Sequence, residues 1–204
     1  RGADSRPQVV HDGRPRRHLD HVVAGAVDQD HVLEPGQALP ADKPLSLRGQ
    51  DHPWVSRGGV KLAAALDAFG FDPQGLTCLD VGASTGGFTD VLLRAGAAQV
   101  LAVDVGYGEL AWSLRTDERV RVHERTNVRT LTPEAIGGPV DLVVADLSFI
   151  SLRLVLPALT ACAAPGADLL PMVKPQFEVG RARLGAGGVV RDPEHRVSAV
   201  LEVA

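Results

Sequence analysis

The chain changes character at Trp54. Ahead of it, "RGADSRPQVVHDGRPRRHLDHVVAGAVDQDHVLEPGQALPADKPLSLRGQ" shows neither helical nor strand spacing of apolar positions over a useful length. The one exception is a short strand expected around residues 45–47. From Trp54 the pattern turns regular. "SRGGVKLAAALDAFG" sets Val60, Leu62, Ala63, Leu66 and Phe69 close to one helical stripe, and Gly70 suits its C-cap. Beyond it, near-continuous Val/Leu/Ala runs alternate with helix-like stretches. The runs predict strands at 78–81, 99–104, 120–123, 140–145 and 168–173. The stretches between them predict helices at 87–95, 109–114, 133–136 and 151–162. Strands apolar on both faces belong in a covered sheet. Their alternation with helices implies an α/β fold, a doubly wound and mostly parallel sheet, over residues 51–204.

Composition narrows the picture modestly. Apolar residues make up 45% and charged residues 23% of the 204, the balance of a globular protein with a real core. A net charge of −4 leaves no overall basic footprint for nucleic acid. Cys78 and Cys162 are isolated, with no metal or redox spacing, so no metal is expected and a reducing, cytoplasmic setting is the default. No run reaches the roughly 18 apolar residues of a membrane span. The chain starts on Arg1 and stops within "HRVSAVLEVA", a helix-like stretch, and so reads as a fragment. Residues 1–50 hold four of the seven histidines and no aromatic residue, which argues against a stable core there.

"LDVGASTGGFTDVLL" is a strand, a glycine-rich turn and the start of a helix. Its glycines permit tight backbone geometry and close approach of a ligand, and the helix N-terminus offers free N–H groups. Asp104, at the end of the second strand, stands where nucleotide-binding sheets place an acid for ribose hydroxyls. The spacing is not G-x-G-x-x-G, so a dinucleotide is disfavoured. The same letters, Gly82-Ala83-Ser84-Thr85-Gly86, match the G-x-S-x-G nucleophile elbow, with Asp146 and His195 following in hydrolase order. Against that reading, the turn follows the first strand and Asp104 goes unused. A purely structural turn is the third alternative.

Lysine is scarce here. Of 21 basic residues only Lys43, Lys61 and Lys174 are lysines. Lys174 ends the apolar run "LLPMV", and Asp146 ends "VDLVVA". On neighbouring parallel strands about 4.8 Å apart, the two side chains can meet. Lys61, near the start of the first helix, can reach the same rim. Lysine, unlike arginine, is readily tuned by burial or by a neighbouring charge, which favours a chemical reading. The alternatives are a snorkelling Lys174, a solvated Lys61, and an Asp146 that merely caps a helix beginning near Ser148.

Together, "WVSRGGVKL", "LDVGASTGGFT", "VDVGYGELAWSLR", "ERTN", "DLVVADLSFISL", "VKPQFEVG" and "GGVVRDP" resemble the TlyA family over about residues 50–204. These are ribosomal RNA ribose 2′-O-methyltransferases of the FtsJ-like group, also named haemolysins. The resemblance implies a Rossmann-like class I methyltransferase fold, S-adenosylmethionine as cofactor, and ribosomal RNA or ribosomal subunits as partner. It implies that Asp80 and the turn Gly82, Ala83, Ser84, Gly86, Gly87, Phe88 and Thr89 hold the methionine end. Asp104 would hold the ribose, and Asn127 with its neighbours the adenine. Of the group's Lys-Asp-Lys-Glu catalytic set, the first three match Lys61, Asp146 and Lys174. The glutamate is expected beyond Ala204.

The family's small N-terminal RNA-binding domain has no clear counterpart in residues 1–50, which read as a degenerate or mistranslated remnant plus linker. Only "ADKPLSLRGQDHPWVSRGG" looks like that domain's usual end. A shifted reading frame upstream is one hypothesis, and an uninterrupted coding frame with ancestral support would sink it. The rival functions are an inactive cofactor-binding remnant and a membrane-active haemolysin. No span or strongly basic amphipathic helix supports the latter. "DLSF" stands where amine methyltransferases carry a proline-containing motif, which favours an oxygen acceptor.

Overall fold

The computed structural model describes residues 52–204 and three short strands ahead of them. The chain divides into two compact units, Arg1–Asp51 and His52–Ala204. In the first, β1 (Ala26–Asp28) pairs antiparallel with β2 (His31–Val32) and with β3 (Ser46–Leu47). The strand expected near 45–47 is therefore present. The other two were not expected, because elements of two or three residues are too short for alternation to show. The remaining expectations for residues 1–51 lie outside the described residues.

The second unit opens with α1 (Gly58–Phe69), which ends as its sequence demands. Gly70 adopts φ 68°, and its N–H reaches back to the carbonyls of Asp67 and Leu66. There follow β4 (Thr77–Val81), α2 (Gly87–Arg94), β5 (Gln99–Val103), α3 (Trp112–Arg115) and β6 (Val120–His123). Next come α4 (Pro133–Ile136), β7 (Val140–Ala145), α5 (Leu156–Cys162), β8 (Ala163–Pro171), α6 (Pro175–Glu178) and α7 (Pro193–Val203).

The five strands form one parallel sheet in the order β6-β5-β4-β7-β8. Side chains two apart share a face, and the two cores divide accordingly. Cys78, Val100, Ala102, Leu142 and Val144 pack with Leu62 and Leu66 of α1, Val91 and Leu92 of α2, and Leu114 of α3. Leu79, Val81, Leu101, Val103 and Val143 face Ile136 of α4 and Leu159 and Cys162 of α5. Each such Leu or Val stabilises the fold by about 1.5–3 kcal/mol. Both faces are covered, so the strands read as apolar throughout.

Three elements differ from expectation. The helix expected at 109–114 begins only at Trp112, because the Ala111 N–H is bonded to the Thr85 carbonyl and its backbone is extended. The stretch 151–162 breaks into a 3₁₀ turn, Leu152–Leu154, and α5, whose second residue is a proline. The last strand starts five residues early and stops at Pro171. On the edge of this sheet, Pro165 and Gly166 are tolerated, and the register shifts between Val140 and Leu142.

This topology fixes where a ligand can sit. The chain runs outward from β4 through β5 to β6, then crosses back to lay β7 on the other side of β4. That reversal is a topological switch point, and crevices beyond the C-terminal strand ends at such points hold ligands. Val81 is in register with both Val103 and Ala145. Gly82, Asp104 and Asp146 therefore emerge side by side, one residue past three adjacent strands.

Candidate active site

The glycine turn is held from beneath and from the side. Asp80 shares the sheet face of α2 and is fully buried, its Oδ2 accepting a 2.7 Å hydrogen bond from Thr89 Oγ1. Among the described residues its Oδ1 meets no hydrogen-bond donor. Burial pushes the Asp80 carboxyl up to about 7; the Thr89 bond opposes this, and the nearby Asp146 and Asp104 charges add to it. Gly82 takes φ 84°, and a Cβ there would stand 2.9 Å from the Asp146 carbonyl oxygen. Gly86 takes φ 98°, and a Cβ there would collide with Leu114 and Leu110. Ser84 is also left-handed at φ 48°.

Asp104 clamps the turn from the neighbouring strand. Its Oδ2 accepts the Ser84 N–H at 2.8 Å and its Oδ1 the Gly106 N–H at 2.7 Å. Ser84 Oγ donates to Glu109 Oε2 at 3.2 Å, so a second carboxylate joins this rim. Asn127 accepts the Arg129 N–H through Oδ1, capping a 3₁₀ turn at the same end of the sheet.

On the other side of Gly82 the three charged residues singled out from sequence meet. Lys61 Nζ lies 2.9 Å from Asp146 Oδ2, and Lys174 Nζ 2.6 Å from Asp146 Oδ1. Lys174 Nζ also donates to Ser148 Oγ at 2.8 Å. The Lys174 contact with Oδ1 is an ion pair without hydrogen-bond alignment, so among the described residues that buried oxygen has no formal donor. The pairs are unequal. The Lys61 side chain is 48% exposed, so its attraction is largely screened, whereas Lys174 at 18% and Asp146 at 16% are well shielded. Burial alone would raise the Asp146 carboxyl. The two ammonium groups outweigh it and hold the group below its ordinary value.

Two hollows share this rim. A cleft of about 560 Å³ is lined by Gly82, Ser84, Asp104, Glu109, Asn127 and Asp146, among others. A smaller one, about 200 Å³, is lined by Ser56, Lys61, Ala83, Thr85, Gly87, Phe88 and Asp146, among others. The first is of a size that encloses a cofactor. A depression of about 570 Å³ between Trp54, Phe71 and Arg94 is as large, but it holds no comparable set of converging polar groups. Of the residues singled out from sequence for this site, Asp80, Gly86, Thr89 and Lys174 line neither hollow: the first three act as the foundation of the rim, and Lys174 reaches it through Asp146 and Ser148, which line the cleft.

Some alternatives end here. Asp146 caps no helix, because none begins near Ser148; the next turn is capped by Ser151. Lys174 is ion-paired rather than snorkelling. The hydrolase arrangement is absent. Both Asp146 oxygens face lysines, Ser84 Oγ donates to Glu109, and His195 Nδ1 lies 3.8 Å from Asp192. Sequence reasoning gave no role to Ser148, Glu109 or Phe149. Ser148 was within the quoted "DLSF", two residues past Asp146, and that spacing was its signal.

The FtsJ-like methyltransferase family model matches residues 54–204, the stretch that builds this sheet and rim. The chain belongs to the FtsJ-like methyltransferase family. It is 61% identical over 176 residues to the 16S/23S rRNA (cytidine-2'-O)-methyltransferase TlyA of Mycobacterium tuberculosis (strain ATCC 25618 / H37Rv), covering 81% of this chain and 66% of that one. It is 48% identical to YqxC of Bacillus subtilis (strain 168), covering 85% and 63%. Among solved structures, the hemolysin-named protein of Streptococcus thermophilus superposes with a TM-score of 0.75 at 40% identity, covering 88% of this chain and 66% of that one. The matched stretch spans just under two thirds of these relatives' own length. Among the described residues of this FtsJ-like chain, no group of His, Cys, Asp and Glu could hold a metal ion, and no helix is long and apolar enough to cross a membrane.

Proposed function

We propose that the chain carries an S-adenosylmethionine-dependent methyltransferase site acting on a ribose 2′-hydroxyl of ribosomal RNA, in the cytoplasm where ribosomes are found. The observation that carries this reading is Asp146, which lines both hollows while holding Lys61 and Lys174. The close relative from Mycobacterium tuberculosis bears the corresponding name.

The residues fit the cofactor. At Gly82 the chain has no room for a side chain beside Asp146, and the cleft runs from there past Asp104 to Asn127. Ala83, Ser84, Gly87 and Phe88 would face the methionine end, with Asp80, Gly86 and Thr89 fixing the turn beneath. Asp104 and Glu109 would face the ribose, and Asn127 the adenine. When bound, the cofactor supplies an electrophilic methyl group on a sulfonium.

The protein's own part is alignment and charge. Two ammonium groups against the one Asp146 carboxylate leave that cluster net positive, which favours a hydroxyl that releases its proton to solvent as its oxygen attacks. Lys174 has three N–H donors and bonds Ser148 with one, so another can turn to the oxygen where negative charge develops while the ion pair with Asp146 persists. Asp146 fixes the Lys174 ammonium, and its negative charge lies close to where the cationic methyl donor would sit. Holding the reactants in line supplies much of the acceleration.

The direct test is transfer of radiolabel from S-adenosylmethionine to isolated ribosomal subunits, with the methylated nucleotide mapped. Label on a ribose 2′-oxygen is expected. Cofactor binding with no transfer to either subunit would identify an inactive remnant instead.

A further inference from the structure

Two loops carry the proposed chemistry, one after β7 with Asp146 and Ser148, the other after β8 with Lys174. Beyond the ion pair they are joined by a side chain that no part of the proposed reaction requires. Glu178, at the end of α6, is buried, with a side chain only 1% exposed. Its Oε2 accepts the Ser151 hydroxyl at 2.5 Å and its Oε1 the Leu152 N–H at 2.8 Å. Arg153 lies 3.8 Å from the carboxylate and donates to the Glu178 carbonyl at 3.1 Å.

A carboxylate taken out of water is costly unless its lone pairs are met. Here they are met by the far end of the other loop. Down the seam the partners run in order: Lys174 to Asp146 and Ser148, Phe177 to Phe149 with ring centroids 5.3 Å apart, and Glu178 to Ser151 and Leu152. The middle rung is weak, because Phe149 is 92% exposed and strained at φ 64°. The top rung joins Lys174 and Asp146, which are shielded but not fully buried, at 18% and 16% exposed. The bottom rung alone is both buried and hydrogen-bonded at two atoms.

We infer that Glu178 is a positioning residue for the methyl-transfer site: its buried carboxylate sets the spacing of the two loops and so holds Lys174 against Asp146 and Ser148. This rests on the reading above that Lys174 acts on the acceptor hydroxyl. Glu178 is not itself a group of the reaction, because its oxygens are occupied within the seam.

The chain has only three lysines, which makes the test direct. In full-length chain labelled with ¹³C/¹⁵N-lysine, the Lys174 side-chain resonance is assigned by its loss in Lys174→Ala. Glu178→Ala should move that resonance toward the value of lysine in a short peptide. It should also lower the single-turnover methyl-transfer rate about tenfold or more, while the cofactor Kd stays within about threefold. Glu178→Gln keeps an acceptor for Leu152 and a donor for Ser151, and should retain both resonance and rate. A folded Glu178→Ala variant with an unmoved Lys174 resonance overturns the assignment. If that variant does not fold, Ser151→Ala, which removes the hydroxyl contact and the cap of the next turn but keeps the Leu152 bond to Glu178, should shift the resonance part-way, and no shift overturns it equally. An active Lys174→Ala would defeat the underlying reading. An inactive Lys174→Ala beside an unchanged Glu178→Ala would defeat only the positioning role.

Discussion

Asp146 and Lys174, each just past the end of its own strand, hold their charged atoms 2.6 Å apart. Parallel pairing of β7 and β8 brings them there, with Ala145 opposite Pro171 and the Met172 N–H bonded to the Ala145 carbonyl. Removing Lys174 should cost the reaction without costing the cofactor. Lys174→Ala is expected to lower methyl transfer roughly 10²–10³-fold, the loss typical of one preorganised donor, with cofactor Kd nearly unchanged. Radiolabel transfer and calorimetric binding on the same preparation check it. Retained turnover would refute a catalytic role.

Asp104 should behave in the opposite way. Its carboxylate accepts two backbone N–H groups, Ser84 and Gly106, that shape the rim on which a cofactor would rest. Hydrogen bonds to a charged group contribute about 1.5–3 kcal/mol each, so Asp104→Ala should weaken cofactor binding by about tenfold or more. The loss should appear in the binding isotherm before it appears in turnover at saturating cofactor. An unchanged Kd would mean that the clamp is dispensable.

These two residues were legible in the sequence for a physical reason. Strand ends are punctuated where apolar runs stop, and a charged residue at such a stop in a parallel sheet points to the ligand edge. Lys61 was legible only through the scarcity of lysine and the family resemblance, because nothing in a helical stripe says what its polar face meets. Glu109, Ser148 and Glu178 lie in loops or at a short helix end. There the backbone follows from tertiary hydrogen bonds, such as Ala111 to Thr85, that no spacing announces. The early start of β8 was hidden because Pro165 and Gly166 read as a loop, and only an edge position reconciles them with a strand.

Gly82 offers a test of the steric argument. Its φ of 84° disfavours any side chain, and a Cβ would meet the Asp146 carbonyl oxygen at 2.9 Å. Gly82→Ala should lower folding stability by about 1–3 kcal/mol through backbone strain. Because the displaced atom belongs to Asp146, transfer should fall further than stability alone explains. Urea melts and activity at matched folded fraction separate the two effects. Equal stability to the native chain would show that the turn relaxes.

Asp80 gives a stability profile with a definite sign. Its carboxyl rises from an ordinary 3.8 to about 7 in the folded chain, chiefly through burial. Between those values the folded state keeps a proton that the unfolded state has released. The group's contribution to stability is therefore full below about pH 4 and is lost as pH rises through 7. The span corresponds to a few kcal/mol, about 4 at most. Two other groups run the other way. The lowered Asp146 carboxyl contributes stability above its unfolded value and loses it only on acidification. His123, lowered by burial and then by Arg121, resists protonation, so it costs stability as pH falls through its ordinary 6.5. Both are common to the native chain and to Asp80→Asn, so the difference between the two isolates Asp80. The amide keeps an acceptor for Thr89 and cannot ionise, so the stability of Asp80→Asn relative to native should grow from pH 5 to pH 8. Urea unfolding at several pH values across that window measures it. A difference that stays flat would place the Asp80 proton off the carboxyl throughout.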